Sequence, residues 1–127
     1  MKWKMRVCSP ESISSLIVFS SGQVIWMRPG TRIRPHHGYT NARLICHLPL
    51  IVPSECALRV GNETHAWREG EVIVFDDSVE HEAWNLSKEP RVVMIFDVWR
   101  PELSDKEQGL VATMLEAVDR FDAKKGG

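Results

Sequence analysis

Tyrosine is almost missing: the 127-residue chain has one, against five tryptophans and four phenylalanines. Cysteine is sparse and odd in number, as Cys8, Cys46 and Cys56, with no CxxC spacing. That pattern argues against a disulfide framework or a zinc knuckle and fits three small buried hydrophobes in a reduced, cytoplasmic setting. Charge of one sign is lacking too: 16 Lys and Arg stand against 17 Asp and Glu, a formal net charge of -1. No basic excess marks a nucleic-acid binder, and no acidic block marks a solvating tail. Long apolar runs are absent. The longest, at 16–19 and 92–96, fall far short of the roughly 18 residues that span a bilayer. Lys2, Lys4 and Arg6 precede a weakly apolar stretch, but Pro10, Glu11 and four serines break it, so it does not read as a signal peptide. No segment repeats.

With 43% hydrophobic and 26% charged residues, the composition is that of one folded domain over 1–127. Turn signals are frequent: Ser21-Gly22, Pro29-Gly30, His37-Gly38, Gly61-Asn62, Glu69-Gly70 and Asp76-Asp77. The short Val-, Ile-, Leu- and Trp-rich segments between them predict strands at 24–27, 42–48, 56–60, 63–67, 71–75, 81–85 and 91–99. Gly61-Asn62 is a two-residue hairpin signal. In the 43–48 strand, Leu44, Cys46 and Leu48 share one face, while Arg43, Ile45 and His47 share the other. Such a strand would line a polar pocket. Ser104-Asp105-Lys106-Glu107 is a capping box, and Leu110, Val111, Met114, Leu115, Val118 and Phe121 follow at helical spacing. The period predicts an amphipathic helix over about 104–122 that closes an open side or edge of the sheet. The fold class is therefore all-β with one C-terminal α-helix, and the motif-bearing core runs from about 27 to 103.

Two of the five histidines stand out. His36 lies in Arg34-Pro35-His36-His37-Gly38, and His81 follows the Asp76-Asp77 turn. Each sits at a strand mouth, so the pair can converge on one metal in a β-barrel; imidazole suits iron, zinc, copper or nickel alike. The run 70–75 followed by His81 also fits a double-stranded β-helix, the jelly roll of cupin-like proteins. Arg91 opens the next strand, where it could hold a carboxylate bidentately.

Several blocks carry a resemblance in a fixed order: Pro29-Gly30-Thr31, Pro35-His36-His37-Gly38, Thr40-Asn41-Ala42-Arg43-Leu44, His47-Leu48-Pro49-Leu50, Trp67-Arg68-Glu69-Gly70, Phe75-Asp76-Asp77-Ser78, Glu80-His81-Glu82-Ala83-Trp84-Asn85 and Phe96-Asp97-Val98-Trp99-Arg100-Pro101. Together they resemble the aspartyl/asparaginyl β-hydroxylase family of Fe(II)- and 2-oxoglutarate-dependent dioxygenases. The resemblance implies a double-stranded β-helix. It implies His36 and His81 as iron ligands, and Arg91 as the anchor of the far carboxylate of 2-oxoglutarate. It implies His47 near the metal-side carboxylate; Arg43, on the same strand face, is a further candidate contact that could compensate for a missing anchor there. Fe(II), 2-oxoglutarate and dioxygen are the implied cofactor and cosubstrates. The implied reaction is hydroxylation of an unactivated C–H, in Asp or Asn side chains of peptides or in smaller acyl or amino-acid substrates. Gly38 stands where many 2-oxoglutarate oxygenases place an aspartate ligand, and glycine there is also seen in this family. Two departures matter. Ile45 replaces a common arginine, and relatives carry a longer segment ahead of the first histidine. Asp76, Asp77, Glu80 and Glu82 are candidates to fix the second nitrogen of a ligating histidine, but the Asp76-Asp77 pair reads first as turn-forming or solvated acids, one of them a turn residue or side-chain cap beneath His81. Two alternatives share these residues: a non-catalytic remnant of the family, and a cupin-like metal-binding protein with another task.

Overall fold

The computed structural model describes residues 5–13, 15–16 and 18–126, the side chains of 18–21 excepted. Two antiparallel sheets face each other. The larger has the order β1-β7-β4-β9-β2, from β1 (Met5–Cys8), β2 (Val18–Met27), β4 (Arg43–Ile51), β7 (Val72–Phe75) and β9 (Arg91–Trp99). The smaller has the order β3-β8-β5-β6, from β3 (Thr31–His36), β5 (Cys56–Val60), β6 (Glu63–His65) and β8 (His81–Asn85). Strands consecutive in sequence mostly alternate between sheets, which makes the jelly roll expected from the sequence.

Alternation sorts the side chains into two apolar layers. Met27, Ile45, Leu58, Val60, Trp67, Ile73, Phe75 and Val93 fill the space between the sheets. Leu44, Cys46, Val72, Val74 and Val98 point out of the larger sheet, where Ile13 and Leu16 of the N-terminal segment cover them. The two faces read from the 43–48 strand thus go to these two layers. All three cysteines are free thiols. Burial pushes the Cys46 thiol up to about 12, so it behaves as a small hydrophobe.

At the Gly61-Asn62 turn, Gly61 takes φ +60. Glycine alone meets that conformation without strain, as a two-residue hairpin between β5 and β6 requires. Pro35 lies inside β3, which sequence rules disfavour. It is tolerated because β3 is an edge strand and its register shifts between Ile33 and His36.

The helix α1 (Asp105–Lys125) carries the expected capping box, with Ser104 accepting from the Glu107 amide. Its packing corrects the expectation. None of its residues is buried, and Leu110, Met114, Val118 and Phe121 are exposed. It closes neither sheet; the N-terminal segment covers the outer layer instead. Charges interrupt α1, and among the described residues no helix is long and apolar enough to cross a membrane. Phe121→Glu should therefore shift stability by less than about 0.5 kcal/mol. Leu58→Ala, in the inner layer at 1% exposure, should cost about 2–5 kcal/mol. Urea unfolding of both variants checks this. A large loss from Phe121→Glu would contradict the uncovered helix.

Candidate functional site

The register of β3 on β8 sets His36 directly opposite His81. Directly opposed residues on one sheet face are nearest side-chain neighbours, and the two imidazole centroids lie 4.2 Å apart with planes at 59°. Each ring is held the same way. His36 Nδ1 lies 2.8 Å from the Arg34 carbonyl, and His81 Nδ1 lies 2.8 Å from the Val79 carbonyl. A carbonyl only accepts, so both Nδ1 atoms carry the hydrogen, and in the neutral rings it is Nε2 that keeps the lone pair. This is the state in which imidazole binds a metal. Burial lowers the His81 pKa, with the neighbouring His36 acting in the same direction, and so favours that neutral form.

Both rings line a cavity of about 230 Å³ between the sheets. That is smaller than the roughly 300–1,000 Å³ of sites for drug-sized ligands and suits a small organic acid. His47, Asp77 and Arg91 supply further polar groups, and Ile25, Ile45, Leu58 and Ile95 make apolar wall.

Arg91 is 1% exposed, and its Nε has no hydrogen-bond partner. The ion pairs among the described residues involve Arg43, Arg59 and Arg100, not Arg91. Its guanidinium lies 4.4 Å over the Trp67 ring, a cation–π contact that compensates part of the lost hydration. Burial still lowers its pKa to about 10. An unneutralised buried guanidinium is costly, and an anion at this end of the cavity would offset that cost.

His47 is buried, and its Nδ1 accepts from the Trp67 indole at 3.1 Å. Burial, then the nearby Arg91 and His81, push its pKa down to about 3. It is neutral at any working pH. The folded pKa lies below the unfolded value of about 6.5, so the unfolded chain binds the extra proton. Stability is then lost as pH falls below about 6.5. Wild type should lose about 2 kcal/mol between pH 8 and pH 5 relative to His47→Gln, as read by urea unfolding at the two pH values. Equal losses would remove His47 as the acid-sensitive group.

Ile45 points into the cavity, as strand alternation requires. Arg43 does not line it. Its guanidinium donates to Asp97 Oδ2 at 2.6 Å and to Asp77 Oδ2 at 3.3 Å. Arg43, expected beside a cosubstrate, instead stands behind Asp77 and does not replace the cation that Ile45 lacks.

Asp77 is the group that sequence reading undervalued. Its neighbour Asp76 is the turn acid, accepting from the Ser78 amide and hydroxyl and pairing with Arg100 at 2.6 Å. Asp77 instead turns into the cavity, 7% exposed, with Oδ1 unpartnered. Burial raises its pKa and Arg43 opposes that shift. A Cβ added at Gly38 would collide with the Asp77 carboxylate. That carboxylate fills the space a side chain at 38 would take, so any larger residue there would have to displace it. A double acid in a tight turn gave no signal that one of the pair faces inward. Among the described residues no set of three or more His, Cys, Asp or Glu side chains forms a ready metal cage; the paired imidazoles offer two nitrogen donors.

Comparison with known proteins identifies the family and the fold. The profile of the family described as aspartyl/asparaginyl beta-hydroxylase matches residues 9–101. The aspartyl/asparaginyl beta-hydroxylases of Mus musculus and Homo sapiens are each 49% identical over 83 residues, which is 65% of this chain and 11% of each of theirs. The aspartate beta-hydroxylase domain-containing protein 1 of Mus musculus is 41% identical over 100 residues, 76% of this chain and 28% of its own. The chain thus spans between 11% and 28% of the length of these relatives. Among solved structures, a predicted oxalate decarboxylase from Thermotoga maritima is similar with a TM-score of 0.53 at 12% identity, over 76% of this chain and 81% of that one. A Cupin 2 conserved barrel domain protein from Salinispora arenicola has a TM-score of 0.51 at 13% identity, over 87% and 84%. Those two likenesses establish the barrel fold alone.

Proposed function

We propose that this chain, which belongs to the aspartyl/asparaginyl β-hydroxylase family, is an Fe(II)- and 2-oxoglutarate-dependent dioxygenase that hydroxylates an unactivated C–H, in an Asp or Asn side chain of a peptide or protein. One observation carries the reading. A pair of opposed imidazoles with free Nε2 atoms shares a small cavity with a buried guanidinium that has no counter-ion.

The residues fit the metal. Two imidazoles 4.2 Å apart, each with Nδ1 against a backbone carbonyl, would offer both Nε2 atoms to one ion. They fit the cosubstrate as well, since 2-oxoglutarate carries a carboxylate at each end and Arg91 needs an anion. When iron is bound there, the chemistry it supplies is oxidative: dioxygen is shared between the hydroxylated product and succinate, and carbon dioxide is released.

The chain's own residues then have separable tasks. His36 and His81 hold the ion, with ring orientation locked by the Arg34 and Val79 carbonyls. Arg91 takes the distal carboxylate and sets how deep the cosubstrate sits. His47, neutral and protonated at Nε2, offers one donor to an oxygen of the metal-side carboxylate. Asp77 adds a buried carboxylate beside the imidazoles, held from behind by Arg43. The apolar wall limits the water that reaches the reacting centre.

Ile45 supports a second reading, the non-catalytic remnant, because it removes a charged hydrogen bond to the cosubstrate. On the enzyme reading that loss weakens binding by about 1–3 kcal/mol. Ile45→Arg should then tighten 2-oxoglutarate binding and speed succinate formation. If Ile45→Arg and wild type both hold iron and neither binds 2-oxoglutarate, the remnant reading replaces this one. The direct test supplies Fe(II), 2-oxoglutarate and dioxygen, with a panel of Asp- and Asn-containing peptides. Succinate should form, and faster with the peptide that is hydroxylated. Saturating cosubstrate with no succinate would overturn the proposal.

A further inference from the structure

We infer that Trp67 is a positioning residue that ties together the two groups facing the cosubstrate: its indole N–H sets the tautomer of His47, and its ring face carries the Arg91 guanidinium. What is bound there rests on the oxygenase reading above; how the two groups are held rests on geometry alone.

Trp67 follows β6 and lies outside every strand, between His65 and the Glu69–Gly70 turn. It is nevertheless 2% exposed and belongs to the layer between the sheets. A loop residue driven that deep meets partners from two other strands. Its Nε1 is 3.1 Å from His47 Nδ1 on β4, and its ring lies 4.4 Å under Arg91 Cζ at the start of β9.

The indole nitrogen can only donate. His47 Nδ1 must therefore accept, and its hydrogen must sit on Nε2. Phe75, edge-on to the His47 ring at 5.1 Å, offers no competing acceptor. A carboxylate needs a donor. With the opposite tautomer, His47 would present a bare lone pair at Nε2 and repel the anion that Arg91 attracts. Trp67 thus makes the two anchors act in the same sense. Its flat face also keeps the Arg91 fork in a plane, where a charged group without an ion pair would otherwise be free to turn.

Trp67→Phe keeps most of the ring and removes the donor. In 15N-labelled wild type without cosubstrate, two-bond 1H–15N spectra should show His47 with Nδ1 bare and Nε2 protonated. In Trp67→Phe that fixed pattern should give way to tautomer exchange. Affinity for 2-oxoglutarate should fall roughly 10- to 150-fold, as for one lost hydrogen bond to a charged group, while Fe(II) affinity stays within about twofold because His36 and His81 do not touch the indole. Trp67→Leu should lose more cosubstrate affinity by removing the face under Arg91 as well. A purely structural role predicts something different: iron and cosubstrate affinity falling together with the unfolding midpoint, and an unaltered His47 tautomer. Either that result or a wild-type His47 protonated on Nδ1 overturns the inference. If the tautomer shifts as described but neither protein binds 2-oxoglutarate, the positioning role stands and the oxygenase reading fails. The wild-type spectrum alone decides the matter should the variants not fold.

Discussion

Arg91→Met should lower the affinity for 2-oxoglutarate by roughly 30- to 1000-fold, or about 2–4 kcal/mol, and should at the same time leave the protein without ligands at least as hard to unfold. The two effects have one cause. Arg91 is 1% exposed, its Nε is unpartnered, and no acidic side chain among the described residues neutralises it. Its burial is a standing cost to the empty fold, eased only by the face of Trp67. Methionine has similar reach and no charge, so exchanging the two should leave stability unchanged or raise it by about 1–3 kcal/mol. A core arginine with a structural role would show the opposite sign. Fe(II) binding should be nearly unchanged, since His36 and His81 keep their own hydrogen bonds. Arg91→Lys should recover little, because an ammonium lacks the planar fork that meets a carboxylate with two bonds. Isothermal titration with 2-oxoglutarate and urea unfolding read the two halves of the prediction. Unchanged cosubstrate affinity would remove Arg91 from the site.

The second large effect concerns the metal. His36→Ala and His81→Ala should each weaken Fe(II) binding more than about 100-fold, beyond the usual cost of losing a residue that merely orients a ligand. Their stability effects should differ from each other. His36 is exposed, so its loss should stay within about 0.5 kcal/mol. His81 is 8% exposed and packs against Phe75 at 5.1 Å, so its loss should cost about 1 kcal/mol or more. His37 is an internal control. It lies next to His36, but its Nδ1 is bound to the Ser78 carbonyl and its ring does not line the cavity. His37→Ala should leave the iron in place. Iron retained by either ligand variant would remove that histidine from the set.

The barrel strands were legible where one face is buried and turns are sharp. The β5–β6 hairpin and the β4, β8 and β9 strands follow from alternation and from Gly61. The edge strands were not. In β3 no residue is buried, and in β1 only Met5 is, so neither shows the period that reveals a strand. The helix was legible from its capping box, but its apolar spacing says only that a face wants cover, not that the sheet supplies it. In the site, His36, His81, His47 and Arg91 stood out through their motif context. Asp77 did not, because an Asp-Asp turn looks the same whether one acid or both face solvent; its burial, its place in the cavity lining and its closeness to Gly38 tell them apart. Trp67 was visible only as part of a matching block. Its two partners sit on strands distant in sequence, and no local pattern announces a contact of that kind. Arg43 was misjudged for a related reason. Strand alternation gives the face correctly, but not the two carboxylates, Asp77 and Asp97, that take up its guanidinium before it can reach the cavity.

The most direct test of a two-histidine iron site with one arginine anchor is an anaerobic titration of the protein and Fe(II) with 2-oxoglutarate, followed in the visible spectrum. Bidentate binding of a 2-oxo acid to protein-bound iron should produce a weak charge-transfer band that saturates at one equivalent of iron. The band should vanish in His81→Ala, and in Arg91→Met it should need far more cosubstrate. Iron held at full occupancy with no band at any concentration of 2-oxoglutarate would contradict the account.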